Sequence, residues 1–210
     1  MWYTLEQLKV IAFTHKNIPL ELLGKLHLDL EEQASVLGAL KLQFEFSELM
    51  FLSTCNRVEF IISSERELER NTLAPLCSFV NSRLNSGEAT QLAEAAEIYQ
   101  GEGSVRHLLR VASSLESLVV GEREIITQVR KAYDHCNMLG LTGDLIRLLM
   151  RHTIETAKEV YTQTGIAHNP VSIVSLAYRQ LKEMGIKNNA KLLFVGSGVT
   201  NTSMAKYLQK

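Results

Sequence analysis

Cysteine is scarce in this chain: Cys55, Cys77 and Cys136 are the only three in 210 residues. They form no C-x-x-C pair and share no metal-ligand spacing with the six histidines, so no metal site is expected. An odd number at wide spacing argues against a disulfide scaffold and fits a reducing, intracellular compartment. An excess of charge of one sign is also missing. The formal net charge of −1 predicts no bulk attraction to nucleic acid or membranes and leaves room only for a local basic patch. No run approaches the roughly 18 apolar residues that a bilayer span requires. The opening "MWYTLEQLKV" interrupts its apolar positions with charges and carries no signal-peptide pattern. Internal repeats and low-complexity tracts are absent. These absences predict a cytoplasmic protein without membrane association.

The chain is long enough for one large domain, or one domain and a piece of another. With 46% hydrophobic and 21% charged residues it can bury a core unaided. "LKVIAFTH" (8–15) reads as a strand. Residues 19–42 read as helical, with Pro19 able to open a first helix and Asp29, followed by Glu32, a capping box for a second. "FSELMFLST" (46–54) and "RVEFIISS" (57–64) read as strands close enough to form an antiparallel pair or a sharp corner. An amphipathic helix over 72–84 and a short strand over 96–101 complete the order β-α-β-β-α-β, a ferredoxin-like unit within an α+β fold. From about 102 helical periodicity dominates, including all of "GSVRHLLRVASSLESLVV", with Gly121, Gly140 and Gly143 as punctuation. A helix is expected over 171–184. "AKLLFVGSGVTNTSMAKYLQ" then reads as an apolar strand, a glycine turn and a helix start.

Chemistry concentrates at "FLSTCNRVEF" (51–60). A cysteine at a strand end is often a buried small hydrophobe. Here Ser53, Thr54 and Asn56 supply hydrogen-bonding groups, and a turn exposes a sulfur to substrate. A cation two residues on favours the nucleophilic thiolate. Arg57 admits three roles: lowering the thiol pKa, holding a substrate carboxylate with its planar fork, or pairing on the surface with Glu59 or Glu65. Cys77 and Cys136 fall within helical patterns and read as inert.

S-T-C-N-R followed by a Glu resembles the active-site signature of the glutamyl-tRNA reductase family. "THKNIP" (14–19), "HLLRVASSLESLVVGEREIITQVRKAY" (107–133), "PVSIVSLAY" (170–178) and "LLFVGSGVTNTSMAKYL" (192–208) resemble further family segments in the same order. The resemblance implies NADPH-dependent reduction of glutamyl-tRNA to glutamate-1-semialdehyde through a cysteine thioester, the first step of tetrapyrrole synthesis. It makes Cys55 the nucleophile, with Thr54, Asn56 and Arg57 completing the loop around the glutamyl group. His107 matches a family histidine important for activity. It either exchanges protons with the leaving ribose hydroxyl, contacts the tRNA, or is a plain solvated or capping residue. Ser117, Glu122, Arg123, Glu124 and Gln128 map onto the substrate-contacting segment. Glu122 suits the substrate ammonium, or is a charge facing a helix dipole.

The chain departs from the family pattern at several positions. Arg123–Glu124 stands where Pro-Gln is usual, and an acid there repels the substrate carboxylate, which argues against contact by the Glu124 side chain. Ser114 and Thr127 replace glycines, and Val58 a threonine. "GSGVTN" is G-x-G-x-x-N, and its place between an apolar run and a helix is the context a dinucleotide turn needs. Gly196, Ser197, Gly198, Val199, Thr200 and Asn201 are therefore the expected NADPH-binding residues. The acid expected about 20 residues further on falls beyond the chain. The expected division is a catalytic domain over 1–163, then over 164–210 a linker helix and the N-terminal fragment of a Rossmann-type NADPH domain, competent for acylation and hydrolysis alone. A homodimer formed through C-terminal helices and a partnership with glutamate-1-semialdehyde aminomutase are implied as well. Arg147, Arg151 and Lys158, with Arg106, Arg110, Arg123, Arg130 and Lys131, form a solvated face or touch tRNA phosphates. Two rival functions remain: a cysteine acyl-transferase or hydrolase, and a tRNA-binding module with a structural cysteine.

Overall fold

The computed structural model describes residues 4–167, 173–185 and 190–208. β1 (Leu8–Thr14) is followed by α1 (Leu20–Gly24) and α2 (Leu30–Gln43), then by the hairpin β2 (Glu48–Ser53) and β3 (Arg57–Ser63). α3 (Leu73–Val80), α4 (Ser86–Ala95) and β4 (Glu97–Gln100) follow. The strands form one sheet in the order β2-β3-β1-β4, every neighbouring pair antiparallel. All seven residues of β1 and of β3 are buried. Successive strand residues face opposite sides, so both faces of the sheet are covered. That is why these strands read as continuous apolar runs.

α5 (Glu102–Ala112), α6 (Glu124–Met138) and α7 (Asp144–Gln163) form the second helical group. α5 packs on α7, and α6 lies along the β2 edge. There Phe51 N–H donates to Cys136 Sγ at 3.3 Å and Leu49 N–H to the Leu141 carbonyl at 2.9 Å. Covering the edge removes a row of unpaired backbone groups. Buried Glu48 on β2 accepts from the backbone N–H groups of Gly143, Leu145 and Ile146 at 2.8–3.0 Å, placing a carboxylate on the positive end of α7. A Cβ at Gly143 would stand 2.7 Å from Glu48 Oε1, so any larger residue there must displace the carboxylate that caps this helix.

Several expectations change. Residues 86–95 are a helix that the strand-and-helix reading missed, although Asn85 and Glu88 spell its capping box, with Asn85 Oδ1 accepting from Glu88 N–H at 2.9 Å. Asp29 precedes α2 but makes no side-chain cap bond. Helical periodicity through 103–120 is broken at Ala112: Ser114 takes φ +61°, and its buried hydroxyl donates to the Val119 carbonyl and accepts from Gly121 N–H. Residues 113–123 are therefore a loop. α8 (Ile173–Glu183) matches the expected helix, whose first two positions lie outside the described residues.

The expected strand over 190–195 does not form; residues 190–197 have no regular structure, and Leu193 and Val195 are exposed. A strand needs a hydrogen-bonded neighbour, and this one has none among the described residues. α9 (Val199–Leu208) follows as expected. No helix among the described residues is long and apolar enough to cross a membrane, and those residues hold no metal-ligating cluster.

Candidate active site

The β2–β3 hairpin turn carries the thiol. Thr54 N–H donates to the Arg57 carbonyl at 2.9 Å, and Asn56 N–H to Thr54 Oγ1 at 3.3 Å. His15 N–H holds the Asn56 carbonyl from the end of β1 at 3.0 Å. The turn backbone is thus tied on both sides, and Cys55 stands exposed at its tip. Cys77 and Cys136 are buried. Burial pushes the Cys77 thiol up to about 12 and raises that of Cys136 as well.

Thr54, Cys55, Asn56 and Arg57 form one wall of a small pocket of about 70 Å³. Ser117, Glu122, Glu124 and Gln128 come from the 113–123 loop and the first turns of α6 to form the other. The structure brings together eight of the ten residues expected at the site. Burial, and then the nearby Glu124 carboxylate, raise the pKa of Glu122. Two acids near one buried guanidinium make a site for a group carrying both charges, such as an amino acid.

Two expected residues stand elsewhere. Arg123 is exposed and lies over the Tyr161 ring at 5.9 Å, while Tyr161 Oη–H donates to the Glu122 carbonyl at 2.7 Å. It braces the loop from outside. His107 is 5% exposed and does not line the pocket. It sits on α5 behind the site, its ring stacked on Tyr99 at 4.1 Å. Its Nε2 is 3.0 Å from Glu59 Oε1. An ionised carboxylate only accepts, so Nε2 carries the hydrogen. His107 is thus buried against Glu59 and is not the solvated residue that one of its expected readings made it.

Arg57 also differs from a surface ion pair. Its side chain is 4% exposed; Nη1 donates to Glu59 Oε1 at 2.7 Å and Nη2 to the Glu116 carbonyl at 2.5 Å. Its fork is anchored inward by these two bonds, and the residue also lines the pocket. Burial pushes the Glu59 carboxyl up, but the hydrogen bonds and charges of His107 and Arg57 outweigh it and hold the pKa below the ordinary value. Glu59 is the residue that sequence reasoning underrated. Its signal was present: charges two apart in an apolar strand share one face and, when buried, must pair. Glu116 adds a second tie, binding Lys16 at 2.5 Å and Arg110 at 2.7 Å.

The glycine turn keeps some of its expected form. Gly196 takes φ +98°, and Asn201 Nδ2 donates to the Val195 and Gly196 carbonyls at 2.7 and 3.1 Å. Gly198 precedes α9, with nothing within 4 Å of the position a Cβ would take. Among the described residues no strand supports the turn, and none forms a cradle at Gly198. Gly196, Ser197, Gly198, Thr200 and Asn201 do not by themselves fit a dinucleotide.

On an α+β domain, an exposed thiol on a hairpin turn faces a charged loop across a small pocket. Residues 11–164 match the family model "Glutamyl-tRNAGlu reductase, N-terminal domain", and the chain belongs to that family. It is 35% identical over 203 residues to a glutamyl-tRNA reductase of Syntrophus aciditrophicus (strain SB), covering 96% of this chain and 48% of that protein. It is 36% identical over 200 residues to that of Campylobacter curvus (strain 525.92), covering 94% and 46%. The solved glutamyl-tRNA reductase from Methanopyrus kandleri is similar at 31% identity and a TM-score of 0.68, over 97% of this chain and 47% of that one. The chain spans about half the length of the relatives it matches.

Proposed function

We propose that these residues carry the acylation half of a glutamyl-tRNA reductase. Cys55 Sγ attacks the ester carbonyl of glutamyl-tRNA; the C–S bond forms, the ester C–O bond breaks, and the thiol proton ends on the leaving ribose oxygen. The product is a glutamyl thioester on Cys55 and free tRNA. Arg57 receives the substrate side-chain carboxylate, and Glu122 its ammonium. Thr54, Asn56, Ser117 and Gln128 supply polar contacts around them. Glu59 and His107 act through Arg57, as positioning residues. Glu124 shares the Glu122 wall, and Arg123 holds the loop through Tyr161. The observation that carries this reading is the exposed Cys55 facing residues 117–128 across one pocket, in a chain of this family.

In the whole protein the thioester is reduced to glutamate-1-semialdehyde with NADPH, feeding tetrapyrrole synthesis in the cytoplasm. The family membership supports this. These 210 residues alone perform acylation and, by attack of water, release glutamate. The division into a catalytic domain over 1–163 and a linker with the beginning of the cofactor unit over 164–210 is supported by the end of α7 at Gln163. The β2-β3-β1-β4 order with antiparallel pairing supports a ferredoxin-like reading of residues 8–100. A homodimer through helices further along the chain, and the aminomutase as downstream partner, rest on the resemblance alone.

The test is incubation with tRNA charged with labelled glutamate. The wild-type chain should retain label on Cys55, and Cys55→Ser should fold but retain none. Undiminished labelling of Cys55→Ser would overturn the assignment.

A further inference from the structure

A second groove, of about 480 Å³, runs beside the thiol pocket. The two adjoin: Gln128 lines both, and Ser53 of the groove is the neighbour of Thr54 in the pocket. α6 lines the groove with Gln128, Lys131 and His135, spaced three and four residues apart and so on one helix face. The opposite wall carries His27, whose Nδ1 lies 2.8 Å from Ser53 Oγ. Among the described residues the one acid in the lining is Asp29, 3.7 Å from His27 Nε2.

The sizes divide the labour. A pocket of about 70 Å³ has room for an acyl group but not for a nucleotide. The groove, at about 480 Å³, falls in the range that bound small molecules and cofactors occupy, roughly 300–1,000 Å³. An ester held with its carbonyl at Cys55 Sγ must send its acyl chain in one direction and its leaving group in another, and the groove is the adjoining space. Its charge fits as well. Arg106, Arg110, Arg130, Arg147 and Arg151 are each paired with a carboxylate. Lys131 has no hydrogen bond or ion pair among the described residues, and it is the cation that lines the groove.

We propose that this groove holds the 3′-terminal nucleotide of the acylated RNA, its phosphate at Lys131 and its base against the imidazoles of His27 and His135. Imidazole is a stacking surface for unpaired bases, and an ammonium is a point-charge partner for phosphate. The proposal rests on the function argued above, to which it adds the subsite for the leaving group.

The test uses two acyl donors and one ligand. Cys55 acylation is measured with glutamyl-tRNA and with a glutamyl thioester of a small thiol that has no nucleotide. Lys131→Glu should raise the half-saturating glutamyl-tRNA concentration about tenfold, the loss expected for one charge-assisted contact, and leave the small thioester unchanged. His27→Ala, at an exposed position, should do the same more weakly. Unchanged capture of glutamyl-tRNA, or equal loss with both donors, overturns the proposal. Adenosine 5′-monophosphate is titrated separately, with NMR shifts read at Gln128 and His135. Shifts that Lys131→Glu abolishes support the groove even if Cys55 accepts no glutamate from either donor, an outcome that would sink only the acylation reading. Absent shifts, or shifts indifferent to Lys131, overturn the subsite.

Discussion

Arg57 and Glu59 lie on one face of β3 and are bonded at 2.7 Å with both side chains buried. The pair joins the thiol turn to the helical layer behind it, because the Glu59 oxygen that meets Arg57 Nη1 also meets His107 Nε2. A guanidinium held this way has one orientation, so the proposed contact with a substrate carboxylate would cost little side-chain entropy.

Removing that anchor should cost both stability and capture. Glu59→Gln leaves Arg57 buried without its counter-charge, and breaking a buried pair typically costs about 3–5 kcal/mol. Urea unfolding should show that loss. Cys55 acylation should fall at least about tenfold with a raised half-saturation for substrate, while alkylation of Cys55 by iodoacetamide keeps its rate. A parallel loss of alkylation would mean that the turn itself had collapsed.

The three cysteines should separate by reactivity. In the folded protein at about pH 8, iodoacetamide should modify Cys55 in minutes and spare Cys77 and Cys136. Burial excludes the reagent from both, and the Cys77 thiol, with its pKa pushed up to about 12, supplies almost no thiolate. Peptide mass mapping before and after denaturation checks this. Modification of Cys77 at the pace of Cys55 would contradict it.

Ser114 should tolerate glycine better than alanine. Its φ of +61° costs a non-glycine residue about 1 kcal/mol or more, offset by two hydroxyl hydrogen bonds within the loop. Ser114→Ala keeps the strain and leaves Gly121 N–H without that partner, for a loss of about 2 kcal/mol. Ser114→Gly relieves the strain and should lie about 1 kcal/mol above Ser114→Ala in thermal or urea unfolding. The reverse order would show that relief of the backbone strain contributes nothing.

Acid should weaken the ties that Glu116 makes to Lys16 and Arg110. Burial pushes the Glu116 carboxyl up, but the hydrogen bonds and charges of Lys16 and Arg110 outweigh it and hold its pKa at about 2, below the ordinary 4.5. Because the unfolded chain binds this proton more readily, the stabilisation is fully present above about pH 4.5 and disappears as pH falls toward 2. Glu116→Gln should therefore melt below wild type at about pH 6, with the gap closing as pH drops through that window. A gap independent of pH would assign the difference to something other than the carboxylate.

What the sequence determined by itself was local. The apolar runs of β1, β2 and β3, the polar S-T-C-N-R turn between the last two and the glycine ahead of α9 depend on near neighbours and backbone preferences. All are legible without coordinates. Tertiary structure decided what depends on partners distant in the chain. Arg57 faces inward because a charge buried in the sheet must find a counter-charge, and Glu59 and His107 complete that buried network. The pocket exists because residues 54–57 and 117–128, far apart in sequence, meet across it. Residues 113–123 leave the helical pattern because the Ser114 hydroxyl bonds within the loop instead of continuing α5. Residues 190–195 have a strand's composition but no strand, because a strand is made by its hydrogen-bonded neighbour and composition does not provide one.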